Sequence, residues 1–169
     1  MNRVVEGDGC AHIKICRMTR ISKYISASSN ILGGRRDAMP IPCELAVKSI
    51  VPAVRALVAK ELSQGYGMKQ NDIARLLGVT QSAVSQYARD ARGRALDLDR
   101  IHGVRPIITD MASELASDGL TPRELNLRYC SACRIVRETR LLCDLHRDLD
   151  PGFNVDGCDA CMPGNGACL

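Results

Sequence analysis

Gln70-Asn71-Asp72-Ile73-Ala74-Arg75-Leu76-Leu77-Gly78-Val79-Thr80-Gln81-Ser82-Ala83-Val84-Ser85-Gln86-Tyr87-Ala88-Arg89 is the stretch around which the rest of the chain is organised. It reads as two short helices around a tight turn. Ile73, Leu77, Val79, Val84 and Tyr87 occupy the positions such a pair buries. Ala74 is small where the second helix must cross the first. Gly78 reaches positive φ without steric cost, which the turn requires. The Thr80 hydroxyl is placed to cap the second helix. Gln81, Ser82, Ser85 and Gln86 then fall on the outward face of that helix, with Arg89 one turn later.

This constellation resembles the helix-turn-helix of the Cro/C1 repressor family. The small residue, the turn glycine four positions later and the branched apolar residue six after that are all present. A plain two-helix hairpin shares the apolar pattern but does not require all three together with a polar second helix. The resemblance implies double-stranded DNA as partner, met by a homodimer. It places the second helix in the major groove with its N-terminal residues at base edges. Gln81 and Gln86 are suited to a bidentate pair with adenine, and Ser82 and Ser85 can donate or accept. Arg89 suits a phosphate or a guanine, Gln70 suits a phosphate, and Thr80 opens the reading helix. One departure is that Met68 or Lys69 stands where a Ser or Thr cap is common.

Upstream, Val47, Ile50, Val51, Val54, Leu57, Val58 and Leu62 recur at steps of three and four, the stripe of an amphipathic helix. Pro52 is tolerated only in a first turn. Ser49 is therefore expected to cap the helix proper, with Glu44–Lys48 as a preceding turn. The helix is expected to end near Gln64, with Gly65 just past it. Downstream, Gly93 closes the pair. Leu96, Leu98 and Ile101 suit a short helix packed back on the domain, and Gly103 breaks the pattern.

A further helix starts at Arg105-Pro106 with Ile107, Ile108, Met111 and Leu115 on one face. That face suits packing on the first domain or, preferably, on a second copy of the chain. Gly119 follows its end. Thr121-Pro122-Arg123-Glu124 is a capping box that opens another helix and delivers Tyr129-Cys130. Six cysteines then fall within 39 residues, as Cys130-x2-Cys133-x9-Cys143-x14-Cys158-x2-Cys161-x6-Cys168. Each Cys-x2-Cys pair can place two thiolates on one metal centre. The turn-rich surroundings of Cys158 and Cys161 suit a segment ordered by a metal rather than by a core. Zinc would take the two pairs, or Cys130, Cys133, Cys143 and His146. An iron–sulfur cluster would take four thiolates.

As a whole, residues 39–169 resemble archaeal predicted transcriptional regulators that join a Cro/C1-type helix-turn-helix to a C-terminal cysteine-rich iron–sulfur domain. Pro42-Cys43-Glu44-Leu45-Ala46-Val47 and Leu141-Leu142-Cys143-Asp144-Leu145-His146 carry that resemblance. It implies a 4Fe-4S cluster, with zinc as the alternative. Cys130, Cys133 and Cys143 would be ligands, and either Cys158 or Cys161 the fourth.

Composition agrees with this division. The chain has 169 residues, 46% hydrophobic and 25% charged, the balance of a soluble globular protein. No apolar run is long enough to span a membrane. Met1–Asp8 lacks the apolar core of an export signal, so a cytoplasmic protein is expected. Nine cysteines in such a chain read as metal-binding or redox-active rather than as a disulfide framework. Residues 1–38 and 39–105 each carry a net charge of +4, and residues 106–169 carry −4. A basic front suits a polyanion that the acidic back would repel. Three histidines and no Cys–His or Ser–His catalytic motif argue against an enzyme. Residues 1–38 lack periodicity. They are expected to be a disordered basic extension or to precede the true start at Met39, with Cys10 and Cys16 as bystanders. The expected architecture is mainly α: an extension over 1–38, a helix-turn-helix bundle over 39–105, and a small metal-ordered cysteine domain over 106–169.

Overall fold

The structure, a computed structural model, describes residues 41–89, 96–149, 152 and 154–162. The extension over 1–38, the start at Met39, the stop at Gly93, and Cys10, Cys16 and Cys168 lie outside the described residues. The described residues are mainly helical and contain no strand. The helices are α1 (Pro42–Lys48), α2 (Ile50–Gln64), α3 (Gln70–Leu77), α4 (Gln81–Ala88), α5 (Val104–Ala116), α6 (Pro122–Glu138) and α7 (Leu141–Leu149). A 3-10 turn covers Leu98–Arg100. Among the described residues no helix is long and apolar enough to cross a membrane.

Helix α2 is central. Ile50, Val54, Val58 and Leu62 are fully buried along it, and α1, α3, α4, α5 and α6 all pack against it. Its start is set by Pro52. With no N–H at residue 52, a continuous helix would lose the bond to the carbonyl of Lys48, and the ring would crowd that carbonyl. The helix breaks there instead, with Ser49 at φ −122 and ψ −60. The expected preceding turn is a helix of seven residues, opened by Pro42. Ser49 does not cap forward. Its hydroxyl donates back to the Leu45 carbonyl at 2.6 Å. The break also changes the register, so Val47, expected in the apolar stripe, is exposed. At the other end of α2, Gly65 keeps right-handed φ (−82), and the positive φ falls at Gly67.

Helices α3 and α4 follow the expected turn closely. Gly78 sits at φ 62 and ψ 37, with its N–H closing on the end of α3. Thr80 Oγ1 accepts from the backbone N–H of Ala83. Ile73, Ala74, Leu77, Val84 and Tyr87 are buried, and Val79 is half-buried. No side chain caps α3, whose cap position is Lys69. Beyond it, Leu96, Leu98 and Ile101 are buried against the same core.

The core does not stop at residue 105. Ile108, Met111, Ala112 and Leu115 of α5 bury against α2. The preferred use of that face, as a contact with a second copy, is thus replaced by packing within the chain. Helix α5 ends with Asp118, not Gly119, in the left-handed region (φ 53). The capping box of α6 forms in full: Thr121 accepts from the Glu124 N–H, and Glu124 Oε2 accepts from the Thr121 N–H at 2.8 Å. Ala132 and Val136 of α6 and Leu141, Leu142 and Leu145 of α7 extend the same cluster of buried residues. Helix α7 also packs on α1.

The Cβ position at Gly78 faces open space, so a substitution there meets only backbone strain. Gly78→Ala should lower stability by about 1–2 kcal/mol, and Gly78→Asn by less, because Asn tolerates left-handed φ. Urea unfolding of the three chains measures this; equal losses for Ala and Asn would contradict the assigned turn.

Candidate functional site

Two groups of residues stand apart from the core. The first is the outward face of α3 and α4. Gln81, Ser82 and Gln86 are exposed on α4, Ser85 is half-buried, and Thr80 and Arg89 are exposed at its two ends. Burying Ala83, Val84 and Tyr87 on one side leaves the polar residues on the other, since a helix turns through about 100° per residue.

These side chains are already tied to one another. Gln81 Nε2 donates to Gln70 Oε1 at 2.6 Å, joining the first residue of α4 to the first of α3. The bond uses one N–H of Gln81 and one acceptor site of Gln70. Both N–H groups of Gln70 stay available, as do Oε1 and one N–H of Gln81. An amide that keeps an acceptor and a donor side by side can still make a paired contact with a flat polar edge. Thr80 Oγ1 and Ser82 Oγ share a hydrogen bond at 2.9 Å. Arg89 folds back, its Nε donating to the Ser85 carbonyl at 3.3 Å. Sequence reading places all seven residues on this face but misses these bonds. Residues 70 and 81 are eleven apart and carry no periodic signal for contact.

The second group is the cysteines. Cys130 and Cys133 lie within α6, one turn apart, Cys130 exposed and Cys133 half-buried. Cys143 lies on α7 and is buried. Cys158 and Cys161 lie in the irregular segment after α7, both half-buried. That segment is anchored by Val155, which is buried, and by Arg147, which pairs with Asp144 on its own helix and with Asp156 across the gap. Local bonds shape it further: Asn154 Oδ1 accepts from the Asp156 N–H, and Val155 O accepts from the Cys158 N–H.

The anchoring leaves Cys158 and Cys161 within electrostatic range of Cys143. Burial pushes the Cys143 thiol up from its ordinary range, and the neighbouring Cys161 and Cys158, in that order, push it further. Arg140 opposes the shift and Asp144 adds to it. Thiols are the donor type a thiophilic metal takes, because the bound cation offsets the cost of deprotonating them. Yet among the described residues no three Cys, His, Asp or Glu side chains converge closely enough to hold a metal ion. The donor chemistry therefore fits, and the arrangement is open rather than closed. The expectation that a metal alone orders this half also changes: Cys130, Cys133 and Cys143 sit on helices that share the apolar core. His146, the alternative zinc ligand, is buried on α7 one turn from Cys143. Sequence reading did not single out buried Arg137 on α6.

With a raised pKa, Cys143 stays protonated at neutral pH, and the thiolate is the nucleophile. In metal-free protein, peptide mapping after brief alkylation should find Cys130 labelled first and Cys143 last, with Cys143 catching up as the pH rises above its ordinary thiol range. Equal labelling of the two at neutral pH would contradict this corner. Compared with family models, curated proteins and solved structures, the chain matches none of them.

Proposed function

We propose that the chain is a cytoplasmic, sequence-specific DNA-binding transcription regulator that acts as a homodimer and carries no catalytic activity. The α3–α4 pair is a Cro/C1-like helix-turn-helix, and α4 is the helix that reads the major groove. The observation that carries this reading is the Gln70–Gln81 bond over a buried apolar seam. It joins the half-buried Gln70 to the exposed Gln81 at the open ends of two adjoining helices, while each keeps unused donors. Side chains held in place before binding lose less entropy when they bind. A solvated surface with no partner has no need of such a clamp.

The cysteine-bearing half binds a 4Fe-4S cluster and reports redox, oxygen or iron status. Support comes from the donor set: Cys143 with Cys158 and Cys161 nearby, and Cys130 and Cys133 on the adjoining helix. Such a cluster would supply one-electron chemistry and sensitivity to oxygen. A structural zinc is the alternative occupant.

Selection from a random DNA pool tests the first half. Gln81→Ala and Gln86→Ala should each cost about 1–3 kcal/mol at one base pair and relax specificity there. Gln70→Ala should weaken binding evenly across sequences. Because Gln70 and Gln81 share a bond, the double variant should cost less than the sum of the single ones. Variants that bind the selected site as tightly as the parent would overturn this docking.

Metal analysis after purification without oxygen tests the second half. A brown protein containing iron and sulfide is expected. Cys130→Ser, Cys133→Ser and Cys143→Ser should each lose both, as should one of Cys158→Ser and Cys161→Ser, while Cys10→Ser and Cys16→Ser keep them. A colourless protein with one zinc per chain would overturn the cluster.

A further inference from the structure

Helix α6 keeps one face in water while the rest of it packs on α2, α5 and α7. Arg123, Leu127, Arg134 and Glu138 are all exposed. At about 100° per residue they fall within about 60° of one another around the helix. Leu127 is 52% exposed, and no other large apolar side chain of α6 is left so open. Arg123, Arg134 and Glu138 enter no ion pair among the described residues.

Beside Leu127 lies a recess of about 280 Å³ between the end of α5 and the first half of α6. Leu120 and Leu127 give it apolar walls, and Glu114, Glu124 and Arg128 give it charge. Glu114 is paired with Arg128 through one oxygen. Glu124 Oε2 accepts from the Thr121 N–H and hydroxyl, and its Oε1 has no hydrogen-bond partner among the described residues. Two carboxylates against one guanidinium leave the recess one negative charge in excess. It suits one cation carried on an apolar stem, and an arginine side chain has both.

The chain carries such a group on the same face. In an antiparallel pair of α6 helices, the Arg123–Glu138 and Leu127–Arg134 spans share one midpoint, between residues 130 and 131. One register therefore sets Arg123 level with Glu138 of the second copy, and Leu127 level with its Arg134. From there the guanidinium has about 4.5 Å to travel along the axis to Glu124. Its stem meanwhile covers Leu127. A parallel pair would set Arg123 on Arg123 and Glu138 on Glu138, which like charge opposes. Cys130 falls at the edge of this face, and Cys133 beyond it.

We propose that this face of α6 is the homodimer surface: two copies pair their α6 helices antiparallel, and each sends Arg134 into the Glu114–Glu124 recess of the other. The inference deepens the homodimer reading given above and rests on it. Such a surface is self-complementary, so each contact occurs twice about the two-fold axis and every substitution counts twice.

Sedimentation velocity of the full-length protein, purified without oxygen and kept reduced, tests the surface. The parent should dimerise in the micromolar range without DNA, and more weakly as salt rises. Arg123→Glu and Glu138→Arg should each weaken the dimer about tenfold, since each replaces two opposite pairs by two like ones. Both swaps suit the macrodipole of α6, an acid in its first turn and a base in its last, so neither unfolds the helix. The double swap restores opposite pairs and should return to within about twofold of the parent. Arg134→Glu should weaken the dimer most, by about a hundredfold, because Glu114 and Glu124 then repel it. A parent that stays monomeric at every concentration reached, or a double swap no better than the single ones, overturns the surface.

Selection from the random DNA pool separates this proposal from the reading it rests on. A parent that dimerises with the swap pattern but retains no DNA overturns the regulator reading and leaves the surface standing. A parent that dimerises and binds selected DNA while ignoring the swaps overturns the surface and leaves the homodimer standing.

Discussion

Ile50, Val54, Val58 and Leu62 of α2 are withdrawn from water completely, and every larger piece of the molecule borrows its place from them. Each such side chain contributes about 1.5–3 kcal/mol by leaving water. The gain requires partners on all sides, because a packed interior tolerates few voids. Helices α3 and α4 close one flank, α5 another, and α1 and α6 the rest. The exposed amides and the helix that carries Cys130 and Cys133 are thus set relative to each other by one shared helix.

What the amino-acid pattern made legible follows from how local each signal is. Gly78, Thr80 and the Thr121–Glu124 box act over three or four residues, and all are found as read. Burial periodicity was legible within a helix and failed across a break. Val47 continues the α2 stripe on paper, but Pro52 forces a new register at Ser49, and Val47 turns outward. The end of α2 at Gln64, with Gly65 just past it, is found as read, while the left-handed residues beyond α2 and α5, Gly67 and Asp118, carried no signal of their own.

Long-range pairing was not legible. Nothing in the spacing of Ile107, Ile108, Met111 and Leu115 says whether the covering surface is α2 or another molecule. The same holds for Gln70 with Gln81, which meet only because helices cross. In the cysteine half, two helices were legible up to Tyr129, and beyond them the reading rested on thiol spacing and a metal-ordered segment. Ala132, Val136, Leu142 and Leu145 were overlooked as core. They give α6 and α7 an apolar anchor that does not depend on any ion.

The segment that carries Cys158 and Cys161 has a much smaller anchor. Val155 is its one fully buried apolar contact among the described residues, and its ties to α7 include the exposed Arg147–Asp156 pair. Exposed ion pairs of this kind contribute little and weaken as salt rises. This segment therefore sits at the low end of the molecule's range of local stabilities, far below the α2 core. Its two thiols can move away from Cys143 while the helices of the described residues remain folded. Exposure of those two thiols is then governed by the opening rate of this short segment. It becomes a fast, ionic-strength-dependent event, separate from the slow unfolding of the bundle.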